Sequence, residues 1–177
     1  MNKFILKLFV FFTILLPNKA HSLIEVDITR GNLNPLPIAV SPLSSDDRTI
    51  SALNEKINIK NLGSEISKIV ENNLKTSGLF NPLNKDAFLQ KPDIAHLKPR
   101  FEDWALIKAQ ALITGRVIFE DEKLRVEFRL WDVLAGKEMM ALAFTTVPKN
   151  WRRVGHIITD KVYERLTGEK GYFDTRI

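Results

Sequence analysis

The feature that most constrains the fold is an unbroken alternation of apolar and charged residues between Lys123 and Leu130. A period of two that is built from branched and aromatic side chains predicts a strand with one buried face. Apolar segments at residues 112–119 and 139–147 flank this strand, and the turns 120–122 and 135–137 connect them to it. The sequence therefore predicts a three-stranded antiparallel meander. Because its last strand is apolar on both faces, we expect that strand to be the most central.

The first 22 residues have the pattern of a secretory signal peptide. Lys3 and Lys7 precede an apolar run that ends at Leu16, and a small-x-small triplet ends at Ser22. As a helix the run from residue 4 to residue 16 spans about 20 Å, which is short of the roughly 30 Å hydrocarbon core of a membrane. We therefore predict cleavage between Ser22 and Leu23, export to the periplasm, and a soluble mature chain without a membrane span.

Removal of the signal changes the charge balance. The whole chain carries 26 bases and 21 acids, and the signal holds three of the bases, Lys3, Lys7 and Lys19. The mature chain therefore has a net charge of about +2, which is not the footprint of a nucleic-acid-binding protein. The chain has no cysteine, so disulfides and thiolate metal sites are excluded and packing must supply its stability.

The mature chain opens with a short amphipathic segment from Leu23 to Thr29. One face of an extended strand would carry apolar residues and the other would carry polar ones: Ile24, Val26 and Ile28 against Glu25, Asp27 and Thr29. A breaker with Gly31 and Pro35 follows and predicts a hinge. Two interpretations remain open at this point: an edge strand of the main sheet, or a detachable recognition strand.

The remainder predicts an α+β domain with a mixed sheet and two main helices packed on one face. Residues 37–42 read as a short strand and residues 44–60 as a surface loop. Asn61 is a candidate N-cap for an amphipathic helix that ends near Gly78. A short helix at 101–109 precedes the meander. A long helix, with Asn150 as its expected cap and Gly168 as its end, follows the meander.

The candidate chemical residues do not form a catalytic set. His156, Asp160 and Tyr163 share one face of the last helix, either as a base with an orienting carboxylate or as a structural or domain-contact surface. Because no serine lies in a nucleophile elbow, we favour the second interpretation and expect no catalytic residue. The histidines are too few and too scattered for a zinc site, so we expect no metal and no cofactor. Trp131 is either a ligand platform or a ring that is covered by a helix or a neighbouring domain.

Several segments together carry a family resemblance. Residues 151–156, 160–168 and 170–177, the helix exit at 78–83 and the opening 24–28 resemble the amino-terminal domain of the TolB family, the periplasmic components of Tol-Pal systems. The resemblance implies that residues 169–177 are a linker toward a β-propeller that begins about where Ile177 stands. It also implies that Pal docks chiefly on that propeller and that TolA engages the mature amino terminus, residues 23–31.

These observations divide the chain into a signal peptide (1–22), a partner-binding strand and hinge (23–35), an α+β domain (36–168) and a linker (169–177). The expected function is a non-enzymatic Tol-Pal component that supports outer-membrane invagination during cell division and outer-membrane integrity. The alternative is a stand-alone periplasmic module that binds peptidoglycan or another cell-wall ligand in a concave polar pocket near Trp131. With no propeller to contact, we expect Tyr172 to Ile177 to fray.

Overall fold

The computed structural model describes Ile24 and residues 34–175. The described elements form an α+β fold, as predicted, in the order β1 (Leu36–Val40), α1 (Asp47–Ile57), α2 (Leu62–Thr76), β2 (Phe80–Pro82), α3 (Pro92–Ala95), α4 (Phe101–Leu106), β3 (Ala111–Glu120), β4 (Lys123–Asp132), β5 (Lys137–Thr146) and α5 (Trp151–Thr167). Single 3-10 turns lie at Lys85–Ala87 and Pro148–Asn150.

The predicted meander is confirmed. Strands β3, β4 and β5 pair antiparallel, and the apolar residues of β4 from Leu124 to Leu130 are buried while the charged residues that alternate with them face outward. Asp121 and Glu122 form the two-residue turn between β3 and β4 with positive φ angles of 49° and 58°. Two positive φ angles match the right-handed twist of the flanking strands, so this turn is of the kind that closes tight hairpins.

The full sheet has the order β2-β1-β3-β4-β5, in which β1 runs parallel to β2 and to β3. The expectation that β5 is central is wrong, because β5 is an edge strand and no described strand pairs with its outer side. One face of β5 carries Ala141, Ala143 and Thr145, which are exposed. Small, weakly polar side chains in an exposed position look apolar in the sequence, and this produced the error.

The two long helices, α2 and α5, pack side by side on one face of the sheet, as predicted. Asn61 caps α2 by accepting a hydrogen bond from the Ser64 backbone N–H at 3.1 Å. At the contact, a Cβ atom on Gly155 would lie 2.8 Å from Cγ2 of Ile69, so glycine permits the close approach. Fully buried side chains from both helices and from β1, β3 and β4 form the main core between these layers.

The segment between β2 and β3 covers part of the opposite face. Its residues bury a second, smaller cluster around Trp104, together with Leu112 and Val133. Gln90 is buried at the centre of this cover: its Oε1 accepts from Trp104 Nε1 at 3.1 Å, and its Nε2 donates to the Lys98 carbonyl at 2.8 Å. The cover stops short of β5, so the outer face of the meander remains open at that edge.

The predicted loop at 44–60 is wrong, because residues 47–57 form helix α1. Asp46 caps it, accepting a hydrogen bond from the Thr49 N–H at 2.8 Å. The buried residues of α1 are Thr49 and Leu53, so its inward stripe is only one or two side chains wide. A stripe this narrow, with a threonine in it, gives weak apolar periodicity in the sequence.

Replacing Asp46 with alanine should lower the free energy of unfolding by about 1 kcal/mol at neutral pH, because the cap is lost. The hydrogen bond from the Thr49 N–H holds the pKa of Asp46 below its usual value. The contribution of the cap is therefore complete above the unfolded-state pKa and is lost as the pH falls through the lower folded-state pKa. Urea unfolding at several pH values measures this. Asp47→Ala is the matched control, and an equal loss at every pH would contradict the prediction.

Candidate functional site

Of the predicted recognition strand, the structure describes one residue, Ile24. The Ile24 side chain packs against the main core, and its backbone N–H donates to Asp132 Oδ2 at 3.2 Å. Pro35, at the predicted hinge, is half-buried directly before β1. The other predicted residues of the strand, the hinge and the cleavage site lie outside the described residues: Ser22, Leu23, Glu25, Val26, Asp27, Ile28, Thr29 and Gly31.

Asp132 is the residue that receives Ile24, and sequence reasoning missed it. The residue is only 1 % exposed and ends β4. Its Oδ1 accepts a hydrogen bond from the Ala135 N–H at 2.8 Å and its Oδ2 accepts one from the Ile24 N–H, so both oxygens have a hydrogen-bond partner. A buried carboxylate needs such partners, because burial without them is costly. The signal was present in the sequence, since Asp132 occupies the next inward position of the alternation that contains Phe128 and Leu130.

The three residues predicted on one face of α5 contact different neighbours. His156 Nδ1 accepts from Asn73 Nδ2 at 2.9 Å, and the same Asn73 nitrogen lies 3.2 Å from Thr159 Oγ1. His156 therefore ties α5 to α2. Asp160 and Tyr163 instead contact the segment that follows α5.

Asp160 holds the chain after the helix. Its two oxygens accept the backbone N–H groups of Phe173 at 2.7 Å and Asp174 at 3.0 Å. The Asp174 carboxylate in turn accepts hydrogen bonds from two nitrogens of Arg153, each at 3.0 Å. Hydrogen bonding to Asp174 raises the pKa of Arg153 above its usual value. The expectation that the tail frays from Tyr172 onward is therefore wrong for residues 172–174, which turn back along α5.

An aromatic cluster reinforces this tail. The Tyr163 ring meets three aromatic rings edge-to-face: Tyr172 and Phe173, with centroids 5.6 and 5.9 Å away, and Phe80 of β2, with its centroid 6.2 Å away. Such pairs add about 0.5–1.5 kcal/mol each to the gain from burial. Burial raises the pKa of the Tyr163 hydroxyl. Residues 171–174 are therefore a structural part of the domain, and we name them the tail clamp.

The fold also brings together one pair that resembles a catalytic dyad. Ser44 Oγ lies 3.1 Å from His96 Nδ1, although the two residues are far apart in the sequence. The same ring nitrogen lies 3.2 Å from the Pro92 carbonyl, which can only accept a hydrogen bond. A proton on Nδ1 serves both contacts, and a protonated nitrogen cannot take the serine proton. The pair therefore gives no support to hydrolytic chemistry.

Trp131 is covered from within the domain. Its Nε1 donates to Thr114 Oγ1 at 2.9 Å, and its ring meets the Phe101 ring edge-to-face with centroids 5.8 Å apart. A depression of about 320 Å³ is lined by Trp131 together with residues 97–102. Within the described residues no three acidic or histidine side chains cluster as metal ligands. No helix in the same part of the chain is both long and apolar enough to cross a bilayer.

Comparison with known proteins decides the family. The model of the TolB amino-terminal domain family matches residues 24–139. The chain belongs to the TolB family. The protein named "Tol-Pal system protein TolB" from Pelagibacter ubique (strain HTCC1062) is 76% identical over 170 residues, which cover 96% of this chain and 38% of that relative. The chain thus spans well under half of that TolB protein.

A solved structure supports the fold. The crystal structure of TolB from Acinetobacter baumannii aligns with a TM-score of 0.63 at 21% sequence identity, covering 80% of this chain and 30% of that one. At this identity the likeness shows that the two chains share a fold. The resemblance to the TolB family that the sequence motifs carried is confirmed by the family match.

Replacing Asp160 with alanine should release the tail clamp. The amides of Phe173 and Asp174 lose their acceptor, so their hydrogen exchange should accelerate, and the unfolding free energy should fall by about 1–3 kcal/mol. Amide exchange by NMR and urea unfolding measure the two effects. The control is Glu164→Ala. Glu164 lies one turn beyond Asp160 on the same helix, and its exposed carboxylate pairs with Lys161. Unchanged exchange at Phe173 and Asp174 would contradict the role given to Asp160.

Proposed function

We propose that this chain acts as a non-enzymatic periplasmic component of a Tol-Pal system and supports outer-membrane invagination during cell division and outer-membrane integrity. Membership of the TolB family supports the proposal, as does a close relative that is named a Tol-Pal system protein. The contacts would be between proteins, with TolA bound by the mature amino-terminal strand. Pal would dock on the propeller that the family resemblance places after residue 177.

The observation that carries the proposal is the hydrogen bond from Ile24 to Asp132. It supports a docked state of the strand at the end of β4, in which Ile24 packs on the domain's own core. Cleavage after Ser22 would leave a positively charged amine on Leu23, the residue before Ile24 in the sequence, and attraction between that amine and the Asp132 carboxylate would favour docking. In the released state residues 23–29 would pair with the sheet of TolA as an added strand, with their apolar face against TolA.

The energy of docking sets how strongly the two states compete. If docking is favourable by about 2 kcal/mol, the free strand is about 3 % populated and the apparent affinity for TolA falls about 30-fold. A change that weakens docking therefore strengthens TolA binding. In this proposal His156, Asp160 and Tyr163 act as domain-contact residues, since Asp160 and Tyr163 set the path of the chain toward the propeller.

Deletion of residues 23–31 should abolish TolA binding and leave the meander and both long helices folded. Isothermal titration with purified TolA measures the affinity, and far-UV circular dichroism checks the fold. As the control, the residues can be replaced by a glycine-serine segment of equal length, which should also fail to bind. TolA binding with unchanged affinity in the deletion variant would refute the role of the strand.

Replacing Asp132 with asparagine should raise the affinity for TolA about threefold to tenfold. The remaining carbonyl oxygen can still accept the Ala135 N–H, but an amide group then faces the Ile24 N–H in place of an acceptor. The docked state is therefore weakened more than the domain itself. The same titration measures the gain, and equal or lower affinity in a folded Asp132→Asn protein would count against docking at this site.

The cell-wall alternative lacks a comparable observation. Its polar pocket was expected near Trp131, and a depression there is lined by Trp131 and residues 97–102, but the Trp131 ring is already hydrogen-bonded to Thr114 and packed against Phe101. A sugar ring stacks on an open aromatic face, whereas this ring is in contact with the Phe101 ring.

A further inference from the structure

The outer edge of β5 is an unprotected strand edge. No strand in the described ranges pairs with it, and between Met139 and Val147 it carries no charge, no proline and no glycine. The Met139 carbonyl, near the start of β5, accepts a hydrogen bond from Arg165 Nε of α5 at 3.4 Å, so the open part of the edge lies after Met139. Natural edge strands usually block pairing with lysines, prolines or bulges in their middle. The one irregularity of the β4–β5 ladder lies near its start, at Leu130/Trp131, and leaves the rest regular. The edge is therefore ready to accept another strand.

The two faces at this edge differ in chemistry. On the helix side, Met140, Leu142 and Phe144 lie opposite the buried apolar residues of β4 and remain partly exposed, Leu142 by 37%. On the outer side, Ala141, Ala143 and Thr145 lie opposite Arg129, Glu127 and Arg125. Only small side chains therefore separate the free edge from two guanidinium groups. A trough of about 330 Å³ runs over these alanines and is bordered by Arg116, Arg129 and Leu97.

The outer face is cationic. Arg116 and Arg125 both pair with Glu127, at 2.7 and 2.8 Å, and Arg129 pairs with Glu138 at 3.2 Å. Three guanidinium groups thus share two carboxylates. Shared pairing with both arginines holds the pKa of Glu127 below its usual value, the Arg116 hydrogen bond having the largest effect. The three arginine side chains are each nearly half exposed, so they can reach an added carboxylate across the small side chains.

We propose that the free edge of β5 binds an extended segment of a partner protein as an added strand, with side chains that alternate between acidic and apolar. Strand addition would satisfy the open backbone groups of β5. Acidic side chains would face the arginines across Ala141 and Ala143, and apolar ones would extend the row of Met140, Leu142 and Phe144. This surface is separate from the Ile24–Asp132 contact and goes beyond the proposed TolA binding.

Two other occupants fit less well. A second copy of β5 brings no acidic residue between Met139 and Val147, so it would set one arginine row against another. The chain's own amino-terminal segment is tethered at both ends, by Ile24 at Asp132 and by Asn34 before β1. The ten Cα–Cα steps from Ile24 to Asn34 can reach at most about 36 Å, which is too short to follow five residues of β5 and return across four strand spacings of about 4.8 Å.

Synthetic decapeptides test the proposal on the purified protein. The first alternates glutamate with valine and threonine, the second has lysine in place of glutamate, and the third is the acidic peptide with alternate backbone nitrogens methylated. We expect the acidic peptide to bind at least tenfold more tightly than the lysine peptide at low salt, with the difference shrinking as salt is added. NMR shifts should concentrate on the amides of 139–146. The methylated peptide should not bind, because it cannot donate along the strand.

Protein variants locate the site. Leu142→Lys places a blocking charge on the edge and should abolish binding, while Leu106→Lys, at a leucine that is 75% exposed away from β5, should not change it. Arg125→Glu combined with Arg129→Glu should reverse the preference between the acidic and lysine peptides. Circular dichroism confirms that each variant is folded.

Three results would overturn the proposal. Equal binding of the acidic and lysine peptides would remove the charge argument, and binding of the methylated peptide would exclude strand pairing. A dimer of the protein that Leu142→Lys dissociates would show that a second copy occupies the edge.

Discussion

The contact between α2 and α5 is the interaction on which the other features depend. Gly155 lets the helices approach to the distance at which Ile69 packs on the α5 backbone, and Asn73 joins His156 and Thr159 across the seam. An asparagine that bridges two helices fixes their relative register as well as their distance, since its donor reaches both acceptors in only one alignment. The position of α5 then decides where Asp160 and Tyr163 meet the tail clamp.

Two carboxylates hold the segments at the two ends of the described domain. At the end of β4, Asp132 accepts a hydrogen bond from the Ile24 N–H, and on α5, Asp160 accepts hydrogen bonds from the Phe173 and Asp174 N–H groups. All three donors are backbone amides, so these contacts depend on the backbone conformation and not on a particular side chain. Hydrogen bonds to a charged acceptor are stronger than neutral ones, which suits segments too short to hold themselves by burial alone.

What could be predicted follows from how far each feature extends along the sequence. Each strand of the meander and helix α2 shows its pattern within ten to fifteen consecutive residues, so the apolar periodicity and the N-cap Asn61 were enough to predict these elements. The alternation of β4 marks Asp132 as an inward residue, but Asp132 and Asp160 bind residues 108 and 13 positions away, and no local pattern identifies those partners. Strand β5 was misplaced because alanine and threonine look apolar in a sequence wherever they lie. The α1 segment was missed because Thr49 interrupts its short buried stripe.

The two attachments differ in how many contacts hold them. Ile24 is held by one backbone hydrogen bond to Asp132 and by the packing of its side chain on the core. The tail clamp is held by two hydrogen bonds to Asp160, by the Arg153–Asp174 ion pair and by the aromatic contacts of Tyr163. If a pulling force acts between the two attachments, the one with fewer contacts opens first. The amino-terminal attachment is therefore the point that yields to tension, while the tail clamp stays on α5.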